Sequence, residues 1–565
     1  MRMKKLSSMI GLCAAVLLAG SACLDLEVQN LNAPDRERAI KTPGDVEALV
    51  SGGFSTWEYT SQGLYPGGAM SCVADSHSSS WGNFGMRDNC SEPRIAWNND
   101  ASYGSNAVAR LPWQQSYASL AAVRDGLIAI EGGLRIQEGP EAPDNTERLE
   151  LFGKLIQALN FSNLAVIHDQ AFLVTEEVSA DDLGMLEPVP YDQVWAKAEE
   201  LYAEVIQRAQ GGSFTIPDLW TGFQHDWDGD RLAEVARAMR TRYSTQVPRT
   251  PAERQALNWS AILADAQMGM SESYGCVREA GGNWCYQYPK TYLAWFTGWA
   301  RIDYRTIGPS DASGNYQAWI NAPLDQRTPF DLDTDDVRIM PTGSCPAPND
   351  AASCGKYMRY MGSSPFPADR GIYHYSNYID WRWAYLWYDY RYETLWPDMT
   401  QKELDFIAAE ANYNLGNMAA TMEFVNMSRA NGELPPFTDP NGVAPGGDRC
   451  VPKMNDGSCG DLWEAYKYEK RIELFHYGMA TEYFDDRGWG DMVQHSWLQL
   501  PIPGIELDLL LMEIYTFGGP GGNSSAPDIL DDVTPEGIRK KLRAHQLWRQ
   551  VHENAADPDA IERRR

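Results

Sequence analysis

Long apolar runs are scarce in this 565-residue chain. The stretch from about Met9 to Ala19 is shorter than the roughly 20 apolar residues a helix needs to cross a bilayer, and it ends in Gly20, Ser21 and Ala22. Positive charge is also scarce, with 48 Lys and Arg against 77 Asp and Glu and a formal net charge of -29. Such a field repels phosphates, which sets nucleic acid and anionic lipid surfaces aside as partners. Closely spaced cysteine pairs of the CxxC type are absent, which argues against a structural zinc site. So are a nucleophile elbow, a zinc-binding helix motif, a phosphate loop and a dinucleotide fingerprint, which leaves catalysis without a recognisable nucleophile, metal or cofactor signature. No segment alternates apolar and polar residues over a strand's length, and no Gly/Ser-rich or Pro-rich linker divides the chain. These absences favour one mainly α-helical body over residues 41–565.

What the chain does contain begins with Arg2, Lys4 and Lys5, followed by the short apolar segment and then small residues, the order of a bacterial secretory leader over residues 1–22. Small residues directly before Cys23 resemble the lipobox of bacterial lipoproteins, which makes Cys23 the lipidation site and residues 23–40 a tether. Beyond Cys13 in the leader and Cys23, eight cysteines fall into neighbouring pairs: Cys72 with Cys90, Cys276 with Cys285, Cys345 with Cys354, and Cys450 with Cys459. The segments CVREAGGNWC, CPAPNDAASC and CVPKMNDGSC are rich in loop formers. Each pair reads as a disulfide closing a local loop in an oxidising compartment, and each adds about 2–3 kcal/mol by the loop-entropy argument.

Apolar residues recur at helical spacing in LELFGKLIQALNFSNLAVI (149–167), YDQVWAKAEELYAEVIQRAQ (191–210) and RLAEVARAMRTRYS (231–244). In residues 401–432 one face carries Leu404, Ile407, Ala408, Ala411 and Leu415. Gly416 and Asn417 then supply a stop, and Met418, Met422 and Val425 begin a second face. That is a helix pair of the kind tetratricopeptide repeats stack. Between such units lie long segments, 71–106, 271–330 and 340–372, where a binding surface is expected. The aromatic stretch YHYSNYIDWRWAYLWYDYRYETLW (373–396) reads as a helix aromatic on most sides and buried among other helices, with a ligand platform as the competing reading.

Four stretches stand in order from end to end. The first is CLDLEVQNLNAPDRERAIKTPGDVEALVSGGFSTW (23–57), with its cysteine, acidic segment and Asn-x-Asn. The second is the 401–432 pair, with Glu410-Ala411, Leu415-Gly416-Asn417 and Asn426-x-x-Arg429. EKRIELFHYGMATEYFDDRGWG (469–490) and LPIPGIEL (500–507) follow. Together they resemble the SusD/RagB family of outer-membrane nutrient-binding lipoproteins. The resemblance implies a SusD-like α-helical fold built on tetratricopeptide-like helix pairs with long loop insertions. It also implies a surface-exposed place on the outer membrane through acylated Cys23, and a SusC-like TonB-dependent transporter as partner. The ligand would be an oligosaccharide or other polymeric nutrient such as peptide, bound and not cleaved. Arg471 and Glu473 read as internal ion-pair formers and not as ligand contacts.

A glycan surface needs exposed aromatic rings beside hydrogen-bonding side chains. Segment 281–319 supplies Trp284, Tyr286, Trp295 and Trp299 among other aromatics, and segment 78–106 supplies Trp81, Asn83 and Trp97. These seven are the candidate ligand residues, with packing of loops against helices as the competing reading. Asp226, Asp228 and Asp230, and likewise Asp331, Asp333 and Asp335, lack the Gly and Glu placement of a calcium loop. They read as solvated acidic loops, and no cofactor is expected. A protein-binding scaffold and, less favoured, a glycoside hydrolase are the alternative functions.

Overall fold

The structure, a computed structural model, describes residues 40–137, 139–179, 181–277, 285, 287, 289–295 (the side chain of Trp295 excepted), 299–339, 355–361 and 376–521. Cys23, Trp284, Tyr286, Cys345 and Cys354 lie outside the described residues.

Helix α1 (Pro43–Ser61) begins where Thr42 is extended and its hydroxyl accepts the Asp45 N–H at 3.2 Å, with Pro43 in the first turn. Helices α2 (Ala107–Glu131), α3 (Thr146–Ile167), α4 (Tyr191–Ala209), α5 (Gly229–Gln246) and α6 (Trp259–Met268) follow. Each packs on the next in chain order, and α6 then meets α7 (Gln401–Asn414), which pairs with α8 (Met418–Asn431). This succession of neighbours is the helix-pair stacking expected from the sequence. Gly416 at φ 80° ends α7 where the stop was expected, because the left-handed turn carries no Cβ penalty there. Helices α9 (Leu462–Glu473) and α10 (Thr481–Trp489) complete the body.

The largest core runs from Val46 to Phe517, so the first and last described parts of the chain share one apolar interior. Helix α3 is mostly buried, and its polar side chains bond inside, although Gln157 Oε1, Asn160 Oδ1 and Asn163 Nδ2 each lack a hydrogen-bond partner. Asn160 Nδ2 donates to Ser119 Oγ at 2.9 Å, Asn163 Oδ1 accepts from Tyr243 Oη at 2.7 Å, and Gln157 Nε2 donates to Glu176 Oε2 at 2.6 Å. Three buried arginines bind elements distant in sequence. Arg242 reaches Asp398 at 2.8 Å and Glu403 at 2.6 Å, Arg254 reaches Glu410 at 2.6 Å and Asp485 at 2.9 Å, and Arg338 reaches Asp336 and Glu469 at 2.7 Å and Glu473 at 3.0 Å. Glu473 is thus the ion-pair former expected. Arg471 joins it in that role, holding Asp486 at 2.7 Å and Asp491 at 2.5 Å.

Among the described residues the sheets are two-stranded and antiparallel. His77–Ser78 pairs with Arg301–Ile302, Gln170–Ala171 with Val189–Pro190, Tyr274–Val277 with Leu395–Met399, and Met358–Tyr360 with Tyr378–Asp380. In the third, Gly275 faces its partner strand so closely that a Cβ would sit 2.1 Å from the Trp396 carbonyl oxygen. Disulfides join Cys72 to Cys90, Cys276 to Cys285 and Cys450 to Cys459, as the spacing implied.

The aromatic stretch is not the buried helix its pattern suggested. From residue 376 it forms the strand Tyr378–Asp380, a 3-10 turn Arg382–Ala384, a single helical turn Tyr385–Tyr388, and the strand Leu395–Met399. Aromatic side chains lose rotamer freedom in a helix and pack well on strands, and β-pairing at both flanks settles the competition.

Candidate functional site

Between its two strands this stretch turns half of its aromatic rings outward. Trp383, Leu386 and Trp396 go into a small core with Cys276, Cys285 and Ala294, while Trp387, Tyr388 and Tyr390 are 37, 40 and 50% exposed. The outward rings are braced. Tyr388 stacks on Trp381 at 5.8 Å between centroids, Trp387 lies 5.1 Å from Tyr392, and the Arg391 guanidinium sits 4.6 Å over Trp387. Arg391 and Tyr392 hold left-handed backbone, φ 53° and 73°, uncommon for bulky side chains and a recurrent feature of ligand-contacting loops. Asp389, Arg391 and Glu393 are exposed beside these rings and supply acceptors and donors.

The floor beneath holds two buried ionisable groups, Lys290 and Glu58. Lys290, fully buried, donates Nζ to the Tyr477 carbonyl at 3.0 Å and lies 4.9 Å from the Trp383 ring. Burial lowers its pKa to about 7. Glu58 lies 3.2 Å from Cys276 Sγ, and burial, helped by nearby Asp398, raises its carboxyl to about 8, so it is mostly protonated at neutral pH.

A second aromatic group forms where the 78–106 segment meets residues 292–299. Trp299, half-buried, stacks on Tyr292 at 4.4 Å and contacts Phe84 at 5.4 Å, and Phe84 meets Tyr65 at 4.9 Å. Trp81 is half-buried in the same group, over the Cys72–Cys90 bridge, and Asn83 is exposed beside it. Phe84 is left-handed at φ 55°, followed by Gly85 at 71°. A cavity of about 260 Å³ lined by Tyr59, Leu64, Tyr65, Phe84, Leu111 and Gln115 opens at this edge. The neighbouring residues Leu293 and Ala294 belong one to each group, so segment 289–295 ties the two aromatic surfaces together.

Of the sequence candidates, the structure brings Trp81, Asn83 and Trp299 to this second group. Trp97 does not belong with them. It is 3% exposed, edge-on to Tyr103 at 5.6 Å and Trp497 at 6.3 Å, and its backbone N–H donates to the Phe517 carbonyl at 2.9 Å, so it fixes the late segment to the body. The outward rings Trp387, Tyr388 and Tyr390 belong to the stretch that the sequence favours as a buried helix over a ligand platform. The signal available was the Asp389-Tyr390-Arg391 interruption, too polar for a helix buried on all sides.

The acidic clusters have structural employment. Asp226 accepts the Asp218 N–H, Asp228 caps α5 through the Arg231 N–H, and Asp230 accepts the Gly211 N–H. Asp333 and Asp335 both grip Arg449, at 2.9 and 2.7 Å. Among the described residues the one trio close enough to share a metal is Glu58, Cys276 and Cys285, whose sulfurs are joined to each other.

No family model matches the sequence, and no curated protein matches it. Solved structures do. A SusD homolog from Bacteroides thetaiotaomicron VPI-5482 superposes with a TM-score of 0.50 at 12% identity, over 81% of this chain and 88% of its own. A SusD superfamily protein from Bacteroides vulgatus ATCC 8482 gives 0.49 at 14% identity over 83% and 97%. A SusD-like carbohydrate binding protein from the same organism gives 0.43 at 15% identity over 78% and 82%. The chain therefore has the mainly helical SusD-like fold. Among the described residues no helix is long and apolar enough to cross a membrane.

Proposed function

We propose that this chain is a lipid-anchored nutrient-binding protein of the outer membrane that captures glycan on its aromatic face and passes it to a TonB-dependent transporter. The observation that carries the reading is the braced, outward set Trp387, Tyr388 and Tyr390 with Asp389, Arg391 and Glu393 around it. Sugar rings offer flat C–H faces edged with hydroxyls, and this surface offers flat rings edged with charged hydrogen-bonding groups. The SusD-like fold and the lipobox-like Cys23 agree with it. No catalytic role is assigned to any residue.

The test is retention on a panel of immobilised polysaccharides. The wild-type chain is expected to be retarded by at least one, and Trp387→Ala to lose that retardation while still melting cooperatively within a few degrees of it. Retention by peptide columns alone would redirect the ligand class, and a variant that loses its cooperative melting along with binding would return these rings to a packing role. Cys23→Ala is expected to release the protein from membranes, and purification from outer membranes to bring down a large transporter barrel. Its repeated absence would count against the partnership.

A further inference from the structure

Away from both aromatic groups, a cavity of about 570 Å³ lies between the Cys450–Cys459 loop, the segment Arg305–Ile320, α9 and α10. That volume is in the range of small-molecule sites. Its floor is formed by Tyr316 and Ile320, and its outer wall by Lys453, Met454 and Asn455 of the cystine loop. The loop is docked by hydrogen bonds from the Lys453 N–H to the Pro309 carbonyl at 2.6 Å and from Gln317 Nε2 to the Met454 carbonyl at 3.1 Å, so the wall is built and not incidental.

The charges around this cavity do not cancel. Arg305 is held by Glu92 at 2.8 Å and Asp75 at 3.5 Å, Lys467 by Glu464 at 2.9 Å and Asp491 at 3.0 Å, and Arg471 by Asp486 at 2.7 Å and Asp491 at 2.5 Å. Each buried cation of the lining is thus already matched to a carboxylate. Glu482 is not. It is 6% exposed and lines the cavity, no cation among the described residues pairs with it, and its carboxylate is met only by backbone N–H groups, its own and that of His476 at 3.4 Å. A buried carboxylate without a partner is costly unless a ligand supplies one.

We propose that this cavity is a second ligand site, taking a small organic cation whose primary ammonium group pairs with Glu482 while its carbon skeleton lies along Tyr316 and Ile320. An anion is disfavoured, because the arginines and lysines that would bind it are already neutralised. A bare metal ion would leave most of the volume and the whole apolar floor unused. Burial, with Asp485 and Asp486 nearby, raises the Glu482 carboxyl to about 7, and a cation beside it would bring that value down and favour the carboxylate.

The probes are putrescine and glucosamine, with glucose and inorganic phosphate as controls, titrated calorimetrically into the full mature chain. One equivalent of either amine is expected to bind and glucose and phosphate are not. Glu482→Gln is expected to weaken the amines by about tenfold or more, the scale of a hydrogen bond to a charged group. Trp387→Ala is expected to leave them unchanged, which separates this site from the aromatic face. The melting of Glu482→Gln is measured alongside to show that the variant is folded. Lys453→Glu at the cavity mouth, which adds negative charge without touching the buried groups, is expected to tighten the amines about two- to threefold. Absence of heat with both amines, equal binding of glucose and glucosamine, or unchanged affinity in a folded Glu482→Gln would overturn the proposal.

Discussion

In α3, Gln157, Asn160, Ser162 and Asn163 are as buried as the leucines beside them, whereas in the loop 381–392 Trp387, Tyr388 and Tyr390 stand in solvent. The body buries polar groups and holds them with hydrogen bonds and ion pairs, although Gln157, Asn160 and Asn163 each keep one unbonded atom. The aromatic face exposes apolar rings and braces each one. Both arrangements work against the simple hydrophobic partition, and each is maintained by something specific: hydrogen bonds and ion pairs in the body, ring stacking and a disulfide floor at the face. The difference predicts that changes in the body will be read out as stability and changes at the face as binding.

The largest effect is expected at Arg338. Its guanidinium is fully buried and holds Asp336, Glu469 and Glu473, so Arg338→Met removes the cation that three buried carboxylates share, leaving Lys402 to Glu473 alone. A loss of about 3–5 kcal/mol is expected in chemical denaturation, enough to prevent folding in a marginal background. A variant as stable as the wild type would show that these charges are not set by the fold.

Next comes acid. Glu473 is buried among Arg338, Lys402 and Arg382, and although burial alone would raise its carboxyl, these cations bring it down to about 2. Its folded pKa is therefore below the unfolded value of 4.5, and its stabilisation is present above pH 4.5 and is lost as pH falls toward 2. That difference is worth about 3 kcal/mol to an order of magnitude. Glu473→Gln is expected to be less stable than the wild type at neutral pH and to converge on it as the pH approaches 2. Parallel stability curves would mean that Glu473 gains nothing from ionisation.

The disulfide beneath the face should matter differently. Replacing Cys276 and Cys285 together by Ser removes a bridge between residues separated by 9 positions, for an expected cost of about 2–3 kcal/mol. Since the same bridge floors the aromatic loop, glycan retention should fall as well, whereas Cys450→Ser with Cys459→Ser should cost comparable stability and leave retention intact. Loss of retention in both double variants would point to global loosening.

These two regions were also unequally legible in the sequence. The body was readable because its signals are local: Leu404, Ile407, Ala411 and Leu415 repeat at helical spacing, and Gly416 marks the stop that the structure places at φ 80°. The face was not, because its conformation is decided by partners far away in the chain. Nothing within 373–396 announces that Leu395–Met399 will pair with Tyr274–Val277, or that Tyr378–Asp380 will pair with Met358–Tyr360. A dense run of Trp and Tyr is compatible with a buried helix and with a surface loop alike, and only the strand pairing decides. Trp97 failed for the same reason, since the Trp497 ring that covers it lies some four hundred residues on.

The smallest stability change and the most telling binding change are expected at Trp387 and Tyr390. Both rings are only partly buried, so truncating either to Ala removes less than a full side chain's burial, and the stability loss should be about 1–2 kcal/mol. Binding should fall by about tenfold or more for Trp387→Ala, the equivalent of roughly 1.4 kcal/mol, if that ring is the platform for a sugar. Tyr390→Phe separates the two components of the surface, because it keeps the ring and deletes the hydroxyl. Retention close to wild type in Tyr390→Phe with loss in Tyr390→Ala would identify stacking as the source of affinity. Loss in both would assign it to the hydroxyl, and loss in neither would confine the glycan to Trp387 and Tyr388, leaving Tyr390 outside the bound footprint.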